Sequence, residues 1–178
     1  MKALFIDRDG ILNKLVSRDG GWFSPRSLEE FCVSEDAVAV LNDFRNQNFT
    51  VFVITNQPDM ARRLLQPETL LKFHSFLDEQ LGPLEFLVCP HTAEVNCDCR
   101  KPRPGLIIEA CSRYNIDISA SWLIGDQASD IIAGRDAGLK TVLVYSQATL
   151  SSLQKFPDSK SDYETLSLAD AAHFILTS

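Results

Sequence analysis

The chain has 178 residues, 45% of them apolar and 23% charged, which is the composition of one globular domain with a full hydrophobic core. A net charge of -7 and a pI near 4.9 exclude a general nucleic-acid surface, because phosphate backbones demand a basic footprint. No segment approaches the length of a membrane span, and the four apolar residues Ala3 to Ile6 are far short of a secretion-signal core, so a soluble cytoplasmic protein is expected. In a reducing compartment its five cysteines read as thiols or metal ligands rather than disulfides.

Ala3-Leu4-Phe5-Ile6 is a short apolar strand that runs into Asp7-Arg8-Asp9-Gly10. Strand alternation points Asp7 and Asp9 one way and Arg8 the other, and Gly10 lets the backbone turn sharply beyond them. Two acids in one small site outline a nucleophile and its proton donor; the same four residues also serve as plain strand-to-turn punctuation. Residues 11 to 33, with Gly20-Gly21-Trp22 and Ser24-Pro25, have the turn chemistry of a flap. A helix is expected over 34 to 47 with Ser34 as N-cap, then a strand over Thr50 to Thr55 that is buried on both faces and stops at Asn56-Gln57-Pro58. Pro67 and Gly82 bracket a second helix over about 67 to 80, and Glu85 to Val88 is the third strand.

Pro104 starts a helix that runs to about Tyr114, Trp122-Leu123-Ile124 is a strand, Ser129 to Ala137 is a helix closed by Gly138, and Thr141 to Val144 is another strand. Residues 146 to 160 are Ser/Gln/Lys-rich and read as loop, and Ser167-Leu168-Ala169-Asp170 opens a last amphipathic helix. This alternation specifies an α/β architecture, a doubly wound parallel sheet in a single domain over 1 to 178, with ligands at the carboxyl ends of the strands.

Four polar clusters fall at those ends. Gly125-Asp126-Gln127-Ala128-Ser129-Asp130 adds two acids to Asp7 and Asp9, and a crowd of carboxylates either raises its own pKa values or recruits a hard cation. A Mg2+ site on Asp7, Asp9 and Asp126 is inferred, with Asp9 contributing its carbonyl and Asp130 in support; as alternatives, Asp126 caps a helix and Asp130 is a solvated helix residue. Thr55 and Asn56 offer a hydroxyl, an amide and backbone N–H groups to an anion above Asp7, or else form a strand-ending turn. Lys101 would neutralise a phosphoryl oxygen, and Arg100 would bind a second phosphate or hydroxyl in a fork. Both follow Cys89, His91, Cys97 and Cys99, a three-sulfur, one-nitrogen set suited to a structural Zn2+ in the 89 to 99 loop; unligated thiols or a redox switch are the alternatives. Cys32 and Cys111 read as small buried hydrophobes, and His74 and His173 receive no role.

These residues resemble the haloacid dehalogenase superfamily of phosphatases, whose four signatures match Asp7-Arg8-Asp9-Gly10, Thr55-Asn56, Lys101 and Gly125-Asp126 with Asp130. Cys-Pro-His followed by Cys-Asp-Cys-Arg-Lys-Pro is similar to a zinc-bearing branch that contains heptose 1,7-bisphosphate and histidinol-phosphate phosphatases. Arg103-Pro104-Gly105 and Met60-Ala61-Arg62 look more like the heptose enzymes. The resemblance implies a Rossmann-like fold without a separate cap domain. It also implies attack by Asp7 to form an aspartyl-phosphate, with proton transfer by an Asp9 whose pKa is raised by the neighbouring negative charge. Thr55, Asn56 and Lys101 would hold the transferring group, and Arg100, Arg62 and Gln127 would contact the rest of a small phosphorylated sugar. Pro58-Asp59 and Gln127 depart from the heptose pattern and make the pocket less basic. A monomer is expected. Histidinol phosphate is the alternative substrate, and a non-catalytic phosphate-binding module is the alternative of another class.

Overall fold

The structure, a computed structural model, describes residues 1–178. Strand β1 (Lys2–Ile6) occupies the middle of the main sheet because its residues are apolar toward both faces, Ala3, Leu4, Phe5 and Ile6 all being buried. The flap expected after it is a small antiparallel hairpin of β2 (Val16–Arg18) and β3 (Gly21–Phe23). The chain continues through α1 (Ala37–Asn46), β4 (Phe49–Asn56), a single turn α2 (Pro58–Ala61), α3 (Pro67–Leu81), β5 (Glu85–Cys89), α4 (Gly105–Tyr114), β6 (Trp122–Gly125) and α5 (Ala128–Asp136). It ends with β7 (Lys140–Val144), α6 (Thr149–Lys155), β8 (Tyr163–Thr165) and α7 (Leu168–Thr177).

Six strands form one sheet in the order β5-β4-β1-β6-β7-β8, and every pairing in it is parallel. Alternation splits the core in two. Leu4, Ile6, Val51, Val53 and Ile124 pack with residues of α1, α3 and α7 on one face, while Ala3, Phe5, Phe52, Ile54 and Leu123 pack with Leu106, Ile107 and Ala110 of α4 on the other. Each Val, Leu, Ile or Phe side chain among them contributes about 1.5–3 kcal/mol by leaving water. From β1 the chain winds outward through β4 to β5, then crosses back to β6 and winds the other way. The direction therefore reverses between β1 and β6, which makes the crevice beyond their carboxyl ends the natural ligand site. No helix is long and apolar enough to cross a membrane.

Several local expectations need correction. Helix α1 begins at Ala37, and Ser34 does not cap it: its hydroxyl donates to Ile11 O at 2.6 Å and its N–H to Leu12 O at 2.9 Å, tying the flap to the loop after β1. Pro104 sits at the cap position of α4 rather than inside it, and α5 starts and ends one residue early. The stretch read as loop contains α6, and β8 follows as an additional edge strand. Helix α6 buries Thr149 and Ser152 instead of an apolar stripe, so hydrophobic periodicity gives it no signal. Cys32 is exposed, not buried, whereas Cys111 is buried as expected, and all five cysteines are free.

Candidate active site

Asp7 leaves β1 with its N–H still bonded to Ile124 O at 2.9 Å, which brings it beside Asp126 at the end of β6. Gly10 has φ +97°, and a Cβ there would lie 2.4 Å from Asp126 Oδ2, so only glycine permits this approach. Carboxylate oxygens of Asp7, Asp126 and Asp130 all lie within 4.8 Å of one another. A single buried ammonium sits among them: Lys101 Nζ is 2.7 Å from Asp7 Oδ1 and 2.6 Å from Asp130 Oδ1, and donates to Ile54 O at 2.8 Å.

Three carboxylates against one cation leave an excess of negative charge. Burial, together with Asp130 and Asp9 and against the pull of Lys101, pushes Asp7 up to about 7. Burial, with Asp7 and Asp130, drives Asp126 well above the usual carboxylate range although Ser146 donates to its Oδ2 at 2.5 Å. Lys101 shifts upward because Asp130 and Asp7 outweigh the burial that opposes its charge. Asp126 Oδ1 is buried with no partner. Unsatisfied hard oxygens under excess negative charge fit a divalent cation such as Mg2+. Asp130 is buried rather than a solvated helix residue, and its Oδ2 accepts from Gln127 N at 3.0 Å in the capping box of α5, a role not anticipated for it.

Asp9 differs from expectation. Arg8 buries its side chain on the opposite face, its guanidinium carbon 5.7 Å from the ring centre of Phe31 and 5.6 Å from that of Phe73, but the head group folds back onto Asp9. Arg8 Nη2 donates to both carboxylate oxygens of Asp9 at 2.9 and 2.8 Å, and Nε donates at 3.1 Å. Asn13 at 2.9 Å, Ser24 at 3.0 Å and Gln57 at 2.6 Å add three more donors. Burial alone would raise the Asp9 pKa, yet the Arg8 charge and these bonds hold it below the usual range, opposite to the direction expected from the paired acids. The donor shell that achieves this was not visible as a motif. Asn13, Ser24 and Gln57 are separated in sequence and converge only through the flap and the end of β4.

The remaining anticipated residues meet around the same crevice. Thr55 Oγ1 accepts from Gln57 Nε2 at 2.8 Å and faces Asp9. Asn56 spends both ends of its amide on the Lys101 peptide, Nδ2 donating to Lys101 O at 3.0 Å and Oδ1 accepting Lys101 N–H at 3.1 Å, and thereby clamps the lysine in place. Arg100 Nη1 donates to His91 O at 3.1 Å, which ties its head group to the cysteine loop. In that loop the sulfurs of Cys89, Cys97 and Cys99 are 3.2–3.7 Å apart, and His91 Nδ1 is 3.3 Å from Cys99 and 3.7 Å from Cys89. Tetrahedral zinc with bonds of ~2.3 Å sets sulfurs about 3.8 Å apart; the Cys89–Cys97 separation of 3.7 Å matches this and the two Cys99 separations are shorter, so the set is one that could hold such an ion. Burial and contact with its neighbours push Cys99 up to about 12, whereas hydrogen bonds from Cys99 and Cys89 outweigh burial at Cys97 and lower it to about 7.

A cavity of about 430 Å3 opens over Asp7 and Asp9. Thr55, Asn56, Arg62, Arg100, Lys101 and Gln127 all line it. Asp59 offsets part of the positive charge of this wall, taking Arg26 Nε at 2.7 Å and Arg62 Nη1 at 3.4 Å. Arg26 had no sequence signal, nor had Lys155 and Phe156 at the end of α6, which also reach the cavity.

Comparison with known proteins agrees with this geometry. A family model described as HAD-hydrolase-like matches residues 98–171. The chain is 30% identical to the D-glycero-beta-D-manno-heptose-1,7-bisphosphate 7-phosphatase of Pasteurella multocida, covering 98% of this chain and 96% of that protein. It is 31% identical to the enzyme of the same name from Neisseria meningitidis, covering 93% and 91%. The D,D-heptose 1,7-bisphosphate phosphatase of B. bronchiseptica, solved with magnesium and phosphate, superposes with a TM-score of 0.83 at 27% identity over 99% of both chains.

Proposed function

Because the chain belongs to the haloacid dehalogenase-like phosphatases, in the family of the heptose-1,7-bisphosphate 7-phosphatases that match it along nearly its whole length, we propose that it hydrolyses one phosphate ester of a heptose 1,7-bisphosphate. The observation that carries the reading is the convergence of Asp7, Lys101, Asp126 and Asp130 at the reversal point of the sheet, with Asp9 in the same cavity.

Asp7 attacks phosphorus, the ester P–O bond breaks, and the departing sugar oxygen takes a proton from Asp9. Asp9 then removes a proton from water, which attacks the aspartyl-phosphate, releases inorganic phosphate and restores Asp7. The donor shell of Asp9 favours the ionised form needed in this second half, while the negative charge of an arriving phosphate favours the protonated form needed in the first. Lys101 and the Thr55 hydroxyl stabilise charge on the transferring group, and Asn56 fixes Lys101 in position. Mg2+, held by Asp7, Asp126 and the Asp9 carbonyl with Asp130 in support, would supply electrostatic neutralisation of phosphoryl and carboxylate oxygens.

Zn2+ on Cys89, His91, Cys97 and Cys99 would have no open coordination position and would organise the loop that carries Arg100 and Lys101. The hairpin and short loops leave the cavity accessible to a small phosphorylated metabolite. The test is phosphate release from heptose 1,7-bisphosphate and from histidinol phosphate by the wild type and Asp7→Asn. Turnover of the heptose substrate that vanishes in a folded Asp7→Asn protein is expected; faster turnover of histidinol phosphate would reassign the substrate, and near-normal activity in the variant would remove Asp7 as nucleophile.

A further inference from the structure

One wall of the cavity is helix α6, and it carries a charge that neither the fold nor the reaction centre uses. Ser151, Lys155 and Phe156 line the same cavity as Asp7 and Asp9. Ser151 and Lys155 are four residues apart on a helix and so share one face. The helix is seated directly on the metal end of the site: Thr149 Oγ1 donates to Asp126 O at 2.6 Å, and Ala128 N–H donates to Ser152 Oγ at 2.9 Å. Ser146, just before α6, donates to the Asp126 carboxylate. The helix that carries Lys155 is therefore anchored to the reaction centre.

Lys155 is the lining cation with neither an ion pair nor a hydrogen bond. The cations that line the cavity are Arg62, Arg100, Lys101 and Lys155. Lys101 is engaged by Asp7, Asp130 and Ile54 O. Arg62 shares Asp59 with Arg26, and Arg100 is bonded to the His91 carbonyl. Lys155 is exposed at the cavity wall, makes no ion pair, and its ammonium makes no hydrogen bond, while Phe156 beside it and Trp22 on the hairpin add apolar lining for a carbon skeleton in the same cavity. A bisphosphate brings a second dianion that needs a cation with its charge uncommitted.

We infer that Lys155 receives the substrate's non-reacting phosphate, which makes α6 the element that selects bisphosphates over monophosphates. The inference rests on the phosphatase reading above and names the residue that sets its selectivity. Steady-state kinetics of the metal-loaded full chain and its Lys155→Gln and Lys155→Glu variants, on heptose 1,7-bisphosphate and on p-nitrophenyl phosphate, test it. The KM for the bisphosphate should rise roughly tenfold in Lys155→Gln and further in Lys155→Glu, with kcat within about twofold and a rise for the monophosphate at least roughly fivefold smaller. The wild-type KM for the bisphosphate should also climb more steeply with ionic strength than that of Lys155→Gln. A bisphosphate KM within about twofold of wild type in both variants would overturn the role of Lys155 and leave the function standing. A wild type that takes mono- and bisphosphates with equal KM would overturn the bisphosphate reading and this inference with it.

Discussion

Replacing Lys101 by Met tests the electrostatics of the site most directly. Its ammonium is buried and lies 2.7 Å from Asp7 and 2.6 Å from Asp130, with Asp126 in the same cluster. Met keeps most of the volume and removes the only cation among three buried carboxylates. Breaking a buried ion pair on one side costs about 3–5 kcal/mol, because the partners are left charged and unpaired. For a chain of this size each kcal/mol lowers Tm by about 2–4 °C, so a fall on the order of 10 °C is expected in magnesium-free buffer. Adding Mg2+ should recover more of that loss than it adds to the wild type, since the ion takes over part of the neutralisation. Adding Asp130→Asn to Lys101→Met should itself restore stability, with a coupling of about 1–3 kcal/mol. Calorimetry with and without Mg2+ reads all three. A Lys101→Met protein that melts within about 2 °C of wild type, with the same response to Mg2+, would refute the reasoning.

Gly10→Ala should cost at least about 2 kcal/mol and most of the activity, since it combines a positive φ with a Cβ placed against Asp126 Oδ2; denaturant melts and phosphate release check it, and a neutral substitution would mean that the loop has room to shift. His74 stacks on Phe86 with Nε2 buried and unpartnered, and burial, helped by the Arg8 charge, lowers its pKa to about 4. Its unfolded form titrates near 6.5, so its contribution is complete above that pH and is lost as pH falls toward 4. Between pH 7 and 5 the wild type should lose about 1 kcal/mol more than His74→Phe, after allowance for partial exposure, and parallel urea-melt curves for the two would contradict this. Cys97→Ser should lower bound zinc, measured by elemental analysis, together with Tm and activity; a protein purified without zinc whose variant behaves normally would dispose of the structural metal.

Much of the architecture could be read from local pattern. The apolar runs at 3–6, 50–55, 122–124 and 141–144 became adjacent parallel strands, because a segment apolar toward both faces has nowhere to sit but between two layers of helices. The acids, Lys101 and the cysteine set met where strand-end placement put them, since residues that follow parallel strands share one edge. Helix α6 escaped because hydroxyls rather than apolar side chains bury it. Ser34 looked like a cap, but a tertiary partner at Ile11 claimed its hydroxyl.

The sequence by itself determined which chemistry was available and at which end of the sheet it would gather, for those follow from residue type and from a period of two or 3.6. Only the tertiary structure decided how that chemistry is tuned. Arg8 folds its head group back to hold Asp9 ionised, Arg26 reaches Asp59 from 33 residues away, and α6 brings Lys155 to the cavity, none of which residue spacing announces. The reason is physical: charge interactions depend on separation and burial in space, and neither quantity is encoded in the spacing of residues along a chain.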